Sequence, residues 1–206
     1  MLRMTVAKNT KPLALGVLLS GGGRTLVNLL EHIQAGTLDA EIVVVIASRA
    51  CRGVELAQAA GIDAHIVPYK KFGPSQLAEY SAKITQLLDQ AEAELVVMAG
   101  FLSMWTIPPS YAGRVVNIHP ALLPRHGGRG MFGHHVHEAV IAAGDSKSGC
   151  TVHFVNNEYD SGPVILQREV PVLPGDTPDD LARRVFEQEQ IAYPQALSQL
   201  AASRAK

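Results

Sequence analysis

Cysteine, surplus charge and long apolar runs are all scarce in this chain of 206 residues. Its two cysteines, Cys51 and Cys150, lie far apart and form no CxxC pair, which excludes a disulfide framework and points to a reducing compartment. Formal net charge is −1 with no basic block, so nothing offers the concentrated positive stripe that tight nucleic-acid binding needs. No segment approaches the roughly 20 apolar residues of a membrane helix, and the opening twelve residues hold no apolar run of signal-peptide length. Repeats and low-complexity stretches are missing as well. What is present is globular composition, 47% hydrophobic and 18% charged, in a length that suits one α/β domain. The expectation is a soluble cytoplasmic protein with a flexible tail over 1–12 and a single domain over 13–206, without membrane or nucleic-acid partners.

Strands and helices alternate through the first half. Leu13 to Leu19 is a continuous apolar run closed by Ser20 and three glycines, as suits a strand buried on both faces. Thr25 to Gln34 has apolar residues at helical spacing. Further strands are expected over 41–47, 64–67, 95–99 and 114–118, with helices over 53–60 and 75–90, the latter capped by Ser75. This pattern predicts an open, mostly parallel, doubly wound sheet of Rossmann-like kind. Beyond it, strands over 150–155 and 164–172 joined by a turn at Asp160 to Gly162 suggest an antiparallel addition. A closing helix over 179–200 follows Thr177 and Pro178.

Two segments carry chemistry. SGGGRT, Ser20 to Thr25, lies between the first strand and first helix. Glycines there let backbone N–H groups approach an anion at a helix N-terminus, and Arg24 and Thr25 add donors. The alternative is a tight turn that merely needs glycine; neither the dinucleotide nor the triphosphate fingerprint is complete. The fifth strand then runs into Asn117-Ile118-His119-Pro120, at the carboxyl end where ligands sit in such sheets. Period-two alternation puts Asn117 and His119 on one side. The amide can donate to a developing oxyanion, and the imidazole can donate and exchange protons near neutral pH. Asp160, before Ser-Gly-Pro, reads by itself as turn chemistry. It matters only if its turn folds back over the fifth strand, where it would pair with His119, raise its pKa and orient it.

Together with the glycine turn, AGF (99–101), NIHPALLP (117–124), TVHFV (151–155), YDSGPVI (159–165) and EQEQIAYP (187–194) resemble the folate-dependent formyltransferase family, in particular glycinamide ribonucleotide transformylases. The likeness covers roughly residues 14 to 200. It implies transfer of a formyl group from 10-formyltetrahydrofolate, as co-substrate, to the amine of glycinamide ribonucleotide, by direct attack through a tetrahedral intermediate and without a metal. Carried over by position, Asn117, His119 and Asp160 are implied to be catalytic. The substrate side falls on Gly22, Gly23, Arg24, Thr25 and Glu189, with Gly-Arg-Thr standing where Gly-Ser-Asn is usual. The folate side falls on Leu102, Ser103, Met104 and Trp105, with Asn117, Asn156 and Tyr159; Ser103 replaces a common arginine. The rivals are a 10-formyltetrahydrofolate hydrolase and a non-catalytic nucleotide- or folate-binding module. The hydrolase usually carries an added N-terminal domain, for which twelve residues give no room. A tRNA-directed relative needs a further C-terminal domain, which a chain ending near 206 does not provide.

The stretch from Arg125 to His137, RHGGRGMFGHHVH, departs from most relatives in length and in its four histidines. No cysteine completes a zinc set there, and the spacing of His135 and His137 suits two ligands poorly, so no metal is expected. The expectation is a mobile substrate-side loop, with Arg125 or Arg129 helping to hold phosphate, and His137 at the head of a helix touching the substrate. Met104 and Trp105 read equally as pocket wall or core. His32, His65 and His153 read as ordinary surface or sheet residues, and Cys150 as no nucleophile. Oligomeric state is left as monomer or homodimer.

Overall fold

The computed structural model describes residues 11–69 and 76–204. Most of the expected tail, and the Ser75 cap, lie outside the described residues. Strands β1 (Leu13–Leu19), β2 (Ala40–Ala47), β3 (Ala64–Ile66), β4 (Leu95–Met98) and β5 (Val115–His119) pair in parallel. Strands β6 (Lys147–Phe154) and β7 (Val164–Pro171) add antiparallel on the β5 side. The order is β3-β2-β1-β4-β5-β6-β7, so the direction of winding reverses between β1 and β4. Such a reversal opens a crevice at the carboxyl ends of the strands.

Continuous apolar strands are buried on both faces because helices cover both. On one side Leu13, Leu15, Val17 and Leu19 pack with α1 (Arg24–Gln34), α2 (Arg52–Ala59), α4 (His134–Ala142) and α5 (Pro178–Ser203). On the other, Leu18, Val44, Ile46 and Val96 meet Tyr80, Ile84 and Leu88 of α3 (Leu77–Gln90), with Trp105, Ile107 and Tyr111. The closing helix starts in a reciprocal capping box: the Thr177 hydroxyl accepts from the Asp180 N–H, and the Asp180 carboxylate accepts from the Thr177 N–H. It carries Tyr193 deep against the sheet, where the hydroxyl lies 3.0 Å from the carbonyl oxygens of both Met98 and Val116. One side chain thus ties the end of β4 to the neighbouring strand β5.

Most element boundaries shift by a residue or so, and two of the shifts bear on the site. Strand β6 begins at Lys147, ahead of the expected 150, because Lys147, Ser148 and Gly149 pair with Pro171, Val170 and Glu169 although they carry no apolar pattern. Strand β5 extends to His119, which is its last residue and pairs with Thr151. No helix among the described residues is long and apolar enough to cross a membrane.

Candidate active site

A cleft of about 750 Å³ opens where β1, β4 and β5 end. Its size suits a small-molecule ligand. The residues implied by the family likeness border it: Gly21 to Thr25 of the glycine turn, 102–105, Asn117, His119, Asn156, Tyr159, Asp160 and Glu189, and so does His137.

The glycine turn is held from below. The Ser20 hydroxyl sits 2.6 Å from that of Ser48 and accepts the Leu102 N–H at 2.9 Å, while the Gly53 N–H donates to Gly21. Gly23 is required by the fold: its φ is +75°, and a Cβ there would lie 2.8 Å from the Gly53 Cα. Gly21 and Gly22 are different, since a Cβ on either would meet nothing within 4 Å. Both face open cleft, and α1 begins beside them with no side chain capping its first N–H groups. An uncapped helix start behind two unobstructed glycines suits an anion in both shape and polarity. Arg24 also lines the cleft, its guanidinium 4.0 Å above the Phe186 ring of α5. Glu189, one helical turn beyond Phe186, has its carboxyl pushed up to about 7 by burial, with the Arg24 charge offsetting only part of that rise.

At the end of β5, Asn117 and His119 project to the same side. The turn after β6 folds back over them, because Asn157 clamps Ile107: its Oδ1 accepts the Ile107 N–H at 2.8 Å and its Nδ2 donates to the Ile107 carbonyl at 3.1 Å. Gly162 is indispensable to this return, since a Cβ would fall 1.9 Å from the Phe154 carbonyl oxygen. Asp160, at φ +50°, then stands with Oδ2 3.5 Å from His119 Nδ1. The same oxygen accepts the Gly128 N–H at 2.9 Å. The NIHPALLP segment is fastened by Thr151, whose hydroxyl donates to the Ala121 carbonyl at 2.6 Å and accepts from the Leu123 N–H and from Gln167 Nε2.

The electrostatics differ from the expected rise in the His119 pKa. Asp160 does favour the charged ring, but burial outweighs it and the net direction is down. His119 rests as a neutral imidazole ready to accept a proton that Asp160 would then stabilise.

His153, read from sequence as an ordinary sheet residue, belongs to this centre. The register pairs it with Asn117, and its Nε2 lies 3.4 Å from the Asn117 amide and 3.6 Å from Asp160 Oδ1. His153 Nδ1 donates to the Phe154 carbonyl, so Nε2 is the acceptor and the Asn117 NH2 faces it. One amide hydrogen is oriented there and the second is left for a ligand. Burial lowers the His153 pKa too, keeping the ring neutral.

His137, 5% exposed on α4, has an Nδ1 without a hydrogen-bond partner among the described residues, and burial followed by the neighbouring His134 and His119 holds its pKa down at about 4. Leu102, Phe132 and Tyr159 form an exposed apolar rim. Trp105 is chiefly core: it is 3% exposed, packs edge-on against Tyr111 and donates its Nε1–H to Thr85. Arg125 does not border the cleft and pairs instead with Asp145 at 2.7 Å, which removes it as a phosphate contact; Arg129 does line the cleft. Cys150 is buried with its thiol raised to about 12 by burial, which leaves no thiolate for nucleophilic work. His32 and His65 lie away from the cleft, bonded to Thr37 and Asp63. No group of three or more metal-ligating side chains occurs among the described residues.

Comparison with known proteins gives a consistent kinship. The formyl transferase family profile matches residues 14–197. A chloroplastic phosphoribosylglycinamide formyltransferase of Arabidopsis thaliana is 35% identical over 195 residues, 93% of this chain and 66% of that protein, so the chain spans just under two thirds of it. The phosphoribosylglycinamide formyltransferase of Escherichia coli is 36% identical over 193 residues, 92% of this chain and 88% of that one. Among solved structures, glycinamide ribonucleotide transformylase 1 from Symbiobacterium toebii superposes with a TM-score of 0.84 at 34% identity, covering 94% of this chain and 90% of the other.

Proposed function

The chain belongs to the formyl transferase family, and from that membership we propose that it transfers the formyl group of 10-formyltetrahydrofolate to the amine of glycinamide ribonucleotide. The observation that carries the proposal is the joining of two devices in one cleft: the open glycine cradle with Arg24, suited to a phosphate, and the Asn117–His119–Asp160 cluster with His153 behind it. A nucleotide seated by its phosphate on Gly22, Gly23, Arg24 and Thr25 directs its far end along the cleft toward β5, past Glu189. The apolar side chains of Leu102, Met104 and Tyr159 in the lining, with the polar Ser103 and Asn156, suit the flat, partly polar body of a folate.

The chemistry follows from the groups that face the reacting centre. The substrate amine attacks the formyl carbon, and the carbonyl electron pair moves to oxygen. Asn117 offers its second amide hydrogen to that oxygen, a type of contact worth about 3–4 kcal/mol in a dry site. The neutral His119 ring takes up a proton at Nδ1, and Asp160 stabilises the resulting imidazolium. The electron pair then returns, the bond to the folate nitrogen breaks, and the proton passes to that leaving nitrogen. Balance is complete with the two small molecules alone.

The test uses purified protein with 10-formyltetrahydrofolate, with and without glycinamide ribonucleotide. Release of tetrahydrofolate that depends on the nucleotide is expected. Release without it would replace the proposal with hydrolysis, and no release in either arm would reduce the protein to a binding module.

A further inference from the structure

We propose that Asp145 is a positioning residue, acting through His126 to hold His119 in the tautomer whose lone pair faces Asp160. The proposal rests on the reading that His119 and Asp160 serve formyl transfer. Asp145 itself does not border the cleft.

The three residues 126–128 grip both members of the pair at once. His119 Nε2 lies 2.8 Å from the His126 carbonyl oxygen. A carbonyl only accepts, so Nε2 carries a hydrogen and the neutral ring keeps its lone pair on Nδ1, 3.5 Å from Asp160 Oδ2. Two residues after that carbonyl, the Gly128 N–H donates to the same Asp160 oxygen at 2.9 Å.

This corner of chain does not hold itself. His126 has φ +55°, a left-handed conformation that a non-glycine residue keeps only when its surroundings enforce it. The enforcement is visible in its side chain. His126 Nε2 lies 2.6 Å from Asp145 Oδ2, with both side chains mostly shielded from water, and Arg125 takes the other Asp145 oxygen at 2.7 Å. Asp145 lies in the short turn between α4, which ends at Ala142, and β6, which begins at Lys147, so it anchors the corner to the packed body of the protein. The chain of contacts runs Asp145 carboxylate, His126 ring, His126 carbonyl, His119 Nε2–H.

Loss of the anchor has a defined chemical consequence. If the His126 carbonyl swings away, Nε2–H loses its acceptor, and the neutral ring is free to place its hydrogen on Nδ1 and donate it to Asp160. In that tautomer Nδ1 already carries a hydrogen and cannot take up the proton of the attacking amine, although every cleft-lining residue remains.

The experiment compares the full chain with Asp145→Ala, His126→Leu and His126→Gln. Steady-state kinetics are measured with both substrates, and 15N NMR of ring-labelled histidine reports the His119 tautomer. The expected result for Asp145→Ala and His126→Leu is a kcat lower by roughly ten- to a hundredfold, with KM changed by less than about threefold. The His119 signal should shift from the Nε2–H form toward Nδ1–H. His126→Gln, whose amide can still donate to Asp145, should recover most of the lost kcat. An unchanged kcat in folded variants, a rise in KM alone, or an unmoved His119 tautomer overturns the proposal. Should Asp145→Ala not fold, the two His126 variants decide it. The NMR arm is independent of activity, so wild-type protein inactive in formyl transfer would refute the assigned reaction while the tautomer still tests the anchor.

Discussion

Replacing Glu189 with glutamine should stabilise the protein at pH 7.5 and expose a pH dependence that the wild type conceals. Burial raises the folded carboxyl from 4.5 to about 7. Between those values the folded chain holds a proton that the unfolded chain releases, so this contribution to stability is lost as pH rises through the window. At about 1.4 kcal/mol per pH unit, the gap comes to about 3 kcal/mol, less whatever water from the cleft returns to the carboxyl. His137 leans the other way. Its pKa falls from 6.5 to about 4, first through burial and then through His134 and His119. The unfolded chain therefore binds a proton first as pH drops, and this contribution, present above 6.5, is lost toward pH 4, again by about 3 kcal/mol. His119 and His153, both lowered by burial, act in the same sense as His137. From pH 4.5 to 6.5 the glutamate and histidine slopes oppose each other. Urea unfolding of wild type and Glu189→Gln at pH 4.5, 5.5, 6.5 and 7.5 should give matched stabilities at the acid end. The variant should then gain steadily to an advantage of up to about 3 kcal/mol. A difference that stays constant across the four pH values would refute the reasoning.

Asp160→Asn should leave the fold intact, since asparagine tolerates the left-handed backbone at this position. Its turnover should fall by about a hundredfold or more, because a neutral amide cannot stabilise the His119 imidazolium; kcat alongside circular dichroism separates the two effects. Arg24→Met should raise KM for the nucleotide by about tenfold or more with little change in kcat, the loss of one charged hydrogen-bond donor from the cleft lining beside the glycine turn. Steady-state titration of the nucleotide measures it. Tyr193→Phe should lower unfolding stability by about 1–2 kcal/mol, as the carbonyls of Met98 and Val116 lose a shared buried donor. Urea unfolding at a single pH is enough to see it.

How far the sequence could be read depended on whether a feature was local. Strands β1, β2 and β4 were legible because burial on both faces writes itself as an unbroken apolar run. The start of β6 was hidden, because Lys147, Ser148 and Gly149 are held by pairing with β7 and carry no periodic signal. The site residues found from sequence were those with a motif of their own or a family likeness, and the structure gathers them round one cleft. His153 escaped because its role comes from lying opposite Asn117, a pairing between residues 36 apart in the chain. Period two places it on the same face as Thr151, and TVHFV belongs to the family likeness, but neither says which residue it faces. Arg125 was misassigned for a related reason, its partner Asp145 being 20 residues further on. The direction of the His119 pKa was misjudged because a charge partner can be guessed from sequence, whereas the apolar enclosure that outweighs it cannot.

The candidate active site exists because the sheet changes direction at β6. Parallel strands β1 to β5 deliver the glycine cradle, Asn117 and His119 to one end, as any doubly wound sheet could. The connection from β5 to β6 is long enough to include α4, yet a sixth strand running parallel would have left β5 without a chain doubling back beside it. The antiparallel β6 instead lays His153 and Thr151 alongside Asn117 and His119, one orienting the amide and the other fastening the segment that follows. The connection to β7 is then too long for a tight hairpin, and its extra residues are put to use. Asn157 pins it to Ile107, Gly162 lets it pass the Phe154 carbonyl, and Asp160 arrives over His119 from the opposite side to the strand that carries it. The loop before α4 closes the remaining side through the His126 carbonyl and the Gly128 N–H. His119 is therefore enclosed by three separate stretches of chain, and that enclosure both lowers its pKa and leaves Nδ1 as the nitrogen at which a proton can be exchanged.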